Sequence, residues 1–534
     1  MNPAYNQSRL KNEKNSLTTD LILFNANVLT INPAYPKAEV VCIRDGKVLA
    51  VGENDIFEQY RHTNTRVVNC HGHTVLPGFV DAHCHFMALA DSFMTCNFTP
   101  KEIRSISDIQ EKIQKFAQHV PPRAWIRAGT YDDFYLDEKR HPTRQDLDNA
   151  TPIHPVKLTH RSRHAHILNS LAMELVGIST ETPEPSGAII ERDIYTGEPN
   201  GILYEMGPYL SKTIPPMHET EQSHGVRLAD QNLFSLGITS IQDASSQNDI
   251  SRWRLFQKWK TLGDLKCQIT MMLGFEAFNL YQQKQSLHSF RNDQVCISGV
   301  KIILNETTGQ LYPPQSELNE MVLKIHKSGL QAIIHAIEET SIEAACTAIE
   351  YALQRSTKKH HRHRIEHCSV CPSALSKRLA SLWVLVVTQP SFLYYNGDRY
   401  LKTVPNWQFK NLYPIKTLIE NGVNVAGSSD CPVVPPNPLI GMYSAISRMT
   451  EAGQIILEKE AIPRMEALQL FTHYAARAVF EEEIKGSITP GKLADLVVLN
   501  GDPTKVPTEE IKKIQVEMTI LNGEVVWDRK KTNR

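Results

Sequence analysis

Short apolar runs recur through the middle of the chain, and amphipathic stretches separate them. The runs are GFVDAHCH (78–85), ITSIQDA (238–244), CQITMML (267–273), GVKIILNE (299–306), LQAIIHA (330–336), HRIEHCS (363–369), LWVLVVTQP (382–390) and VNVAGSSD (423–430). Segments between them, such as SELNEMVLKIHKSG (316–329) and TSIEAACTAIEYALQ (340–354), carry apolar residues at i, i+3 and i+4 and predict helices. Eight strand–helix alternations predict an α/β chain built on a (β/α)8 barrel, whose sites sit at the C-terminal ends of its strands.

The two ends of the chain have another texture. LILFNANVLTI, AEVVCIRDGKVLAVGE and TRVVNC near the start, and ADLVVLNGDP and VEMTILNGEVVWD near the finish, alternate β-type runs with turn residues. They predict one small β-sandwich assembled from 20–74 and 484–534, with the barrel over 75–483. The stretch from His85 to Ile238 is too long for a βα loop. Residues 87–225 are therefore expected to form a large insertion after the first barrel strand, covering the site. Residues 1–19 are polar and lack the apolar core of a signal peptide, so they are expected to be a disordered leader.

Composition narrows the function classes. Of 534 residues 41% are hydrophobic and 22% charged, as in an ordinary globular protein. Lys+Arg 57 against Asp+Glu 58 gives a formal charge of −1, which argues against nucleic acid or an anionic membrane as partner. No apolar run reaches the ~18–20 residues of a membrane span. Ten cysteines form no disulfide framework and several sit in apolar runs, as expected for a reducing, cytoplasmic setting.

His83 and His85 lie two apart at the end of the first apolar run, so their rings point to the same side of a strand. Taken alone, the pair serves a metal or a hydrogen-bonded core equally well. His335, His367 and Asp430 end the fifth, sixth and eighth runs, and Lys301 sits inside the fourth, where a bare ammonium is costly. Each has a bland reading: packed core histidines, a helix N-cap, a snorkelling lysine. Their joint placement at strand ends favours one shared site.

These residues lie in the motifs LPGFVDAHCH, SGVKIIL, AIIHA, RIEHC, VTQP and AGSSDCPV, with GSITPGKLADLVVLNGDP near the C-terminus. The chain resembles the amidohydrolase superfamily, and within it the YtcJ-like branch that includes N-substituted formamide deformylase, over roughly residues 20–527. The resemblance implies a metal-dependent amidohydrolase that cleaves a non-peptide C–N bond, of an amide or formamide, in a small molecule. Alternatives on the same fold are a carbamate, cyclic imide or ester substrate, or a catalytically silent binding homologue. It implies one or two Zn²⁺ or other divalent transition-metal ions, held by His83, His85, His335, His367 and Asp430, with a carboxylated Lys301 bridging. Asp430 would also act on the attacking water. His164 would contact substrate or oxyanion, Tyr131 and Asp132 would line the pocket, and relatives are often homodimers.

The chain departs from the branch where Ser162-Arg163-His164 replaces Asp-Gly-His, and Arg163 is a candidate partner for a substrate carboxylate. On strand parity, Glu366 is expected to face away from His367. Three further patterns read as incidental: KKHHRHR (358–364) as a solvated loop, Cys368-x-x-Cys371 as a spacing without a role, and HGH (71–73) as a turn.

Overall fold

The computed structural model describes residues 19–98, 102–282, 294–306, 309–356 and 360–532; residues 1–18 of the expected leader fall outside them. Eight parallel strands run in chain order around one sheet: β1 (Phe79–Cys84), β2 (Ile238–Asp243), β3 (Gln268–Gly274), β4 (Val295–Ile303), β5 (Gln331–Ala336), β6 (Arg364–His367), β7 (Leu385–Thr388) and β8 (Asn424–Gly427). Each overlaps one of the eight apolar runs, β4 starting four residues ahead of its run. Several are buried along their whole length, which is why they read as near-continuous apolar runs. The sheet is nearly closed. Its seam is bridged past the strand ends by the Asp430 N–H donating to His83 O (2.8 Å) and the His85 N–H donating to Cys431 O (2.8 Å).

Two antiparallel-rich sheets pack beside the barrel. One takes strands from both ends of the chain, in the order 524–528, 516–521, 496–499, 74–77, 27–29, 37–38. The other holds 47–52, 40–44, 21–24 and 66–69. Leu21, Val41 and Ile43 of one sheet meet Val75, Leu496, Val498 and Ile520 of the other in a sandwich core. Thr74–Pro77 passes through Gly78 almost straight into β1, with no turn at Pro77-Gly78. A side chain at Gly78 would lie 2.3 Å from Thr239 Oγ1 of the neighbouring β2, so only glycine lets the chain approach β2 this closely.

A further six-stranded sheet lies between β1 and β2, in the order 189–192, 199–204, 165–168, 156–160, 126–131, 96–97. Ile126, Ala128, Val156, Leu158, Ile167 and Ile202 form its apolar face, packed against helices Ile106–Ala117 and Arg144–Ala150. The barrel resumes with helix Glu219–Ser235, whose Gly225 lies against Ala90 O of helix Phe86–Ser92.

The KKHHRHR segment is not a solvated loop over its described part. His360 is exposed, but His361 is buried and His363 and Arg364 are fully so. The chain runs under the N-terminal end of the barrel, where His363 meets His326. Lys358 and Lys359 lie outside the described residues. His71 and Gly72 form a left-handed turn, as their pattern suggests. All ten cysteines are free.

Candidate metal centre

His83 projects from the end of β1, and His85 follows at the start of helix Phe86–Ser92. Asp430 lies three residues past β8 in a left-handed conformation (φ 59°), a strained backbone held by its surroundings. Asp81 on β1 holds this corner: it accepts from the Ser429 N–H (3.0 Å), the Ser429 hydroxyl and the His83 N–H (3.2 Å). The result places Asp430 Oδ1 at 3.4 Å from His83 Nε2 and 3.1 Å from His85 Nε2. Nitrogens of both histidines and an oxygen of Asp430 all lie within 4.8 Å of one another.

Proton bookkeeping decides what fits between them. His83 Nδ1 faces the carboxylate of Glu366, so it carries the proton and Nε2 presents a lone pair toward Asp430. Asp430 Oδ1 is buried and has no hydrogen-bond partner. Two electron-rich atoms facing each other in a buried site call for a cation, and imidazole with carboxylate suits a divalent transition metal. The His85 Nδ1 contacts Ser245 Oγ at 3.0 Å.

His367 ends β6 with its ring centroid 5.1 Å from that of His83 and 4.4 Å from that of His335. Ser428 donates to Thr388 O (3.0 Å), so its oxygen accepts from Gln389 Nε2 (3.0 Å), which fixes the orientation of the amide. Gln389 Oε1 then accepts from His367 Nδ1 (2.8 Å), and His367 Nε2 is left as a lone pair. Burial pushes the His367 pKa down to about 3 and lowers those of His83 and His335, so all three rings are neutral and able to ligate. Burial opposes the Asp430 charge, but the rings of His83, His85 and His367 hold its pKa well below the usual carboxylate range.

Lys301 on β4 is almost wholly buried, and its Nζ has no hydrogen-bond partner. Burial lowers its pKa to about 8 although Glu366 and Asp430 favour the ammonium. Beneath it lies a polar cluster in the barrel interior. Arg364 donates through Nε and Nη2 to Glu366, through Nη1 to Gln242 Oε1 (2.6 Å) and through Nη2 to Ala82 O (2.8 Å). Burial opposes ionisation of Glu366, but Arg364, His83 and Lys301 hold its pKa well below its ordinary value.

Glu366 therefore serves His83, a role that strand parity did not anticipate. Parity fails because His367 has φ +73°, which swings its side chain back toward the cluster that Glu366 also reaches. Gln389, Ser245, Asp81 and Arg364 were missed as well. An Arg and a Glu two apart in an otherwise apolar strand, as in RIEH, was the available signal for the Arg364–Glu366 pair.

The remaining candidates are placed differently. His164 brings its ring centroid to 6.1 Å from that of His335, and its Nδ1 pairs with Glu205 Oε1 at 2.8 Å. Burial works against a proton on His164, but Glu205 outweighs it and raises the pKa. Arg163 precedes it with φ +66°. Tyr131 packs in the apolar core of the intervening sheet, its hydroxyl on His141 Nδ1 (2.8 Å). Asp132 accepts from Arg161 (3.3 Å) and Arg399 (3.0 Å). Among the described residues, neither contacts the His83–Asp430 cluster. Asp132, Asp133 and His160 converge closely enough to resemble a second metal group. The two guanidinium ions on Asp132 already neutralise it, so this group is better suited to tying the intervening sheet to helix Ser391–Thr403.

The chain is similar to known proteins in sequence and in fold. The chain is 27% identical over 540 residues to N-substituted formamide deformylase of Arthrobacter pascens, covering 96% of this chain and 98% of that protein. It is 26% identical to the putative amidohydrolase YtcJ of Bacillus subtilis, covering 92% and 96%. Its fold matches that of an uncharacterized metal-dependent hydrolase from Pyrococcus horikoshii, with TM-score 0.73 and 22% identity over 92% of this chain and 99% of that one. Residues 66–527 match the amidohydrolase family, and the chain belongs to that family.

Proposed function

We propose that this protein hydrolyses a non-peptide C–N bond, in an amide or formamide of a small molecule, with a divalent metal at the end of the barrel. The observation that carries the reading is the convergence of His83 Nε2 and His85 Nε2 on the unpartnered Asp430 Oδ1. A zinc ion held by His83, His85 and Asp430, alone or with a second ion on His335 and His367, would supply Lewis-acid polarisation of the carbonyl and acidify a water. Asp430 accepts a proton from the attacking water and returns it to the departing nitrogen. Glu366 keeps the His83 proton on Nδ1, so that Nε2 stays a ligand. His164, whose raised pKa favours the protonated ring, donates toward the oxygen that becomes negative.

Lys301 extends the proposal. Its deprotonated Nζ adds to the carbon of CO₂, forming an N–C bond and releasing one proton to water, and the product is a carbamate anion. The support is a buried Nζ without a partner whose pKa is lowered. Incubation with ¹³C-bicarbonate and carbon NMR of the holoenzyme should reveal a carbamate resonance that is absent from Lys301→Ala. The free state of all ten cysteines supports a reducing compartment such as the cytoplasm.

A hydrolysis screen tests the reaction class. Zinc-loaded protein is offered N-substituted formamides, N-acyl amines, carbamates, cyclic amides and esters. Turnover of formamides or N-acyl amines is expected, and turnover confined to esters would replace the reading.

A further inference from the structure

One cleft beside the metal centre holds a surplus of positive charge. The sheet between β1 and β2 turns its apolar face inward on its own helices, and its other face carries Arg127 and Lys157 side by side, paired in parallel register. Arg163 stands on the turn between strands Val156–His160 and Ala165–Leu168, directly before His164. Its backbone has φ +66°, and the turn is closed by the Arg163 N–H on His160 O (2.9 Å). Across the cleft, Asp91 sits on helix Phe86–Ser92 and Arg252 on helix Ile250–Leu262.

Four bases meet two acids here, Asp91 and, beside Arg127, Glu221. Asp91 feels four bases, Arg163, Arg252, Arg127 and Lys157, and burial nonetheless raises its pKa. Among the described residues, none of these five side chains makes an ion pair within 4.0 Å. The guanidinium of Arg127 is spoken for by Pro215 O, but Lys157 Nζ and the Arg163 guanidinium have no hydrogen-bond acceptor among the described residues. The Arg163 side chain is exposed, into the space beside His164, while the protein around it lowers its pKa, with Asp91 and Asp430 the leading charges that oppose this. Burial also lowers Lys157 to about 8, and the positive charges of Arg163 and Arg127 push it the same way. Lys157 is half-buried, and cations that repel one another are relieved when an anion enters.

The cleft opens on the reacting atoms. Arg163 lies within electrostatic reach of Asp430. The neighbouring His164 brings its ring to 6.1 Å from His335. We propose that this cleft binds an oxyanion carried by the substrate, with Arg163 and Lys157 as its direct partners and Arg127 and Arg252 supporting them through their field. The substrate is then a small amide or formamide bearing a carboxylate or phosphate a short distance from the bond that breaks. Arg163 offers a planar fork and Lys157 a point charge, a combination that suits either oxyanion.

This inference rests on the amide-hydrolase reading for its substrate class, but not for its anion site, and the experiment separates the two. Calorimetric titration of the zinc-loaded full-length protein uses three probes: succinate, inorganic phosphate and the uncharged succinamide. Either anion is expected to bind at least about tenfold tighter than succinamide, with affinity falling as salt rises. Preference between succinate and phosphate identifies the oxyanion. Lys157→Met and Arg163→Gln should each erase most of that preference while circular dichroism and zinc content stay unchanged. If Arg163→Gln fails to fold, Lys157→Met alone decides. In parallel, kcat/KM is compared for N-formyl-β-alanine and its uncharged amide, and a preference for the acid is expected. Anion binding without turnover of either compound would remove the formamide reading and leave the site. Equal binding of succinate, phosphate and succinamide, or anion binding untouched in the folded variants, overturns the inference.

Discussion

Two histidine clusters lie at opposite ends of the same barrel, and only one is built to hold a metal. At the N-terminal end, His363 Nδ1 accepts from the Ala332 N–H (2.9 Å), so its proton is on Nε2 and is donated to His326 Nδ1 (2.9 Å). His326 in turn donates from Nε2 to Ser356 O (2.8 Å). His361 Nδ1 accepts from the His363 N–H (2.9 Å), and its other nitrogen is bonded to the backbone of Leu382. Every ring in that chain spends both nitrogens on protein. At the C-terminal end, His83 and His367 each spend one nitrogen, on Glu366 and Gln389, and keep a lone pair. Imidazole count is therefore a poor guide to a metal site; the destination of each ring nitrogen is what separates the clusters.

Removing the metal should break the comparison most sharply. Dialysis against a chelator is expected to abolish hydrolysis, and added zinc to restore it. His326→Ala should retain its metal, as read by plasma emission spectrometry. Next in size is Asp430→Asn, which removes the proton acceptor and weakens a ligand; kcat should fall by about 10²–10⁴-fold with the melting profile preserved. A near-normal kcat would reject the assigned role. Glu366→Gln should lower metal affinity by about 10–100-fold, because a neutral amide holds the His83 proton less strongly than a carboxylate and leaves Arg364 without its counter-charge. Competition with a fluorescent zinc chelator measures this.

The N-terminal cluster should respond in stability. His363→Ala leaves the Ala332 N–H and His326 Nδ1 unpaired in a buried site, at a cost of about 1–3 kcal/mol in urea unfolding, with metal content unchanged. The smallest effect concerns pH. Burial lowers the His361 pKa from an ordinary 6.5 to about 4. The unfolded chain therefore binds the extra proton first as pH falls, so this contribution to stability is complete above pH 6.5 and lost on the way down to pH 4. His361→Phe should flatten that part of the stability–pH curve. An unchanged slope would show that other groups control acid unfolding.

Much of this was legible along the chain. All eight barrel strands appear as apolar runs, because parallel strands covered on both faces have no solvent side to alternate with. The residues ending those runs are the ones brought together over the barrel mouth. Period-two reasoning failed at Glu366 because it assumes extended backbone, and β6 ends in a left-handed residue, His367. The reading of KKHHRHR as a solvated loop failed for another reason. His361 and His363 are polar by type, and their burial depends on His326 and Ala332, about thirty residues away, which supply the hydrogen bonds.

The sequence by itself determined the barrel, its β-rich companion from both ends of the chain, and the set His83, His85, Lys301, His335, His367 and Asp430. Hydrophobic periodicity and the position of ionisable residues within it are local properties, readable one segment at a time. Only the tertiary structure decided where each proton and charge resides. Glu366 meets His83 across 283 residues of chain, Asp430 is steered by Asp81 across the seam, and Lys157 and Arg163 share a cleft with too few acids. Protonation and charge balance depend on neighbours in space, and no periodicity in the chain records them.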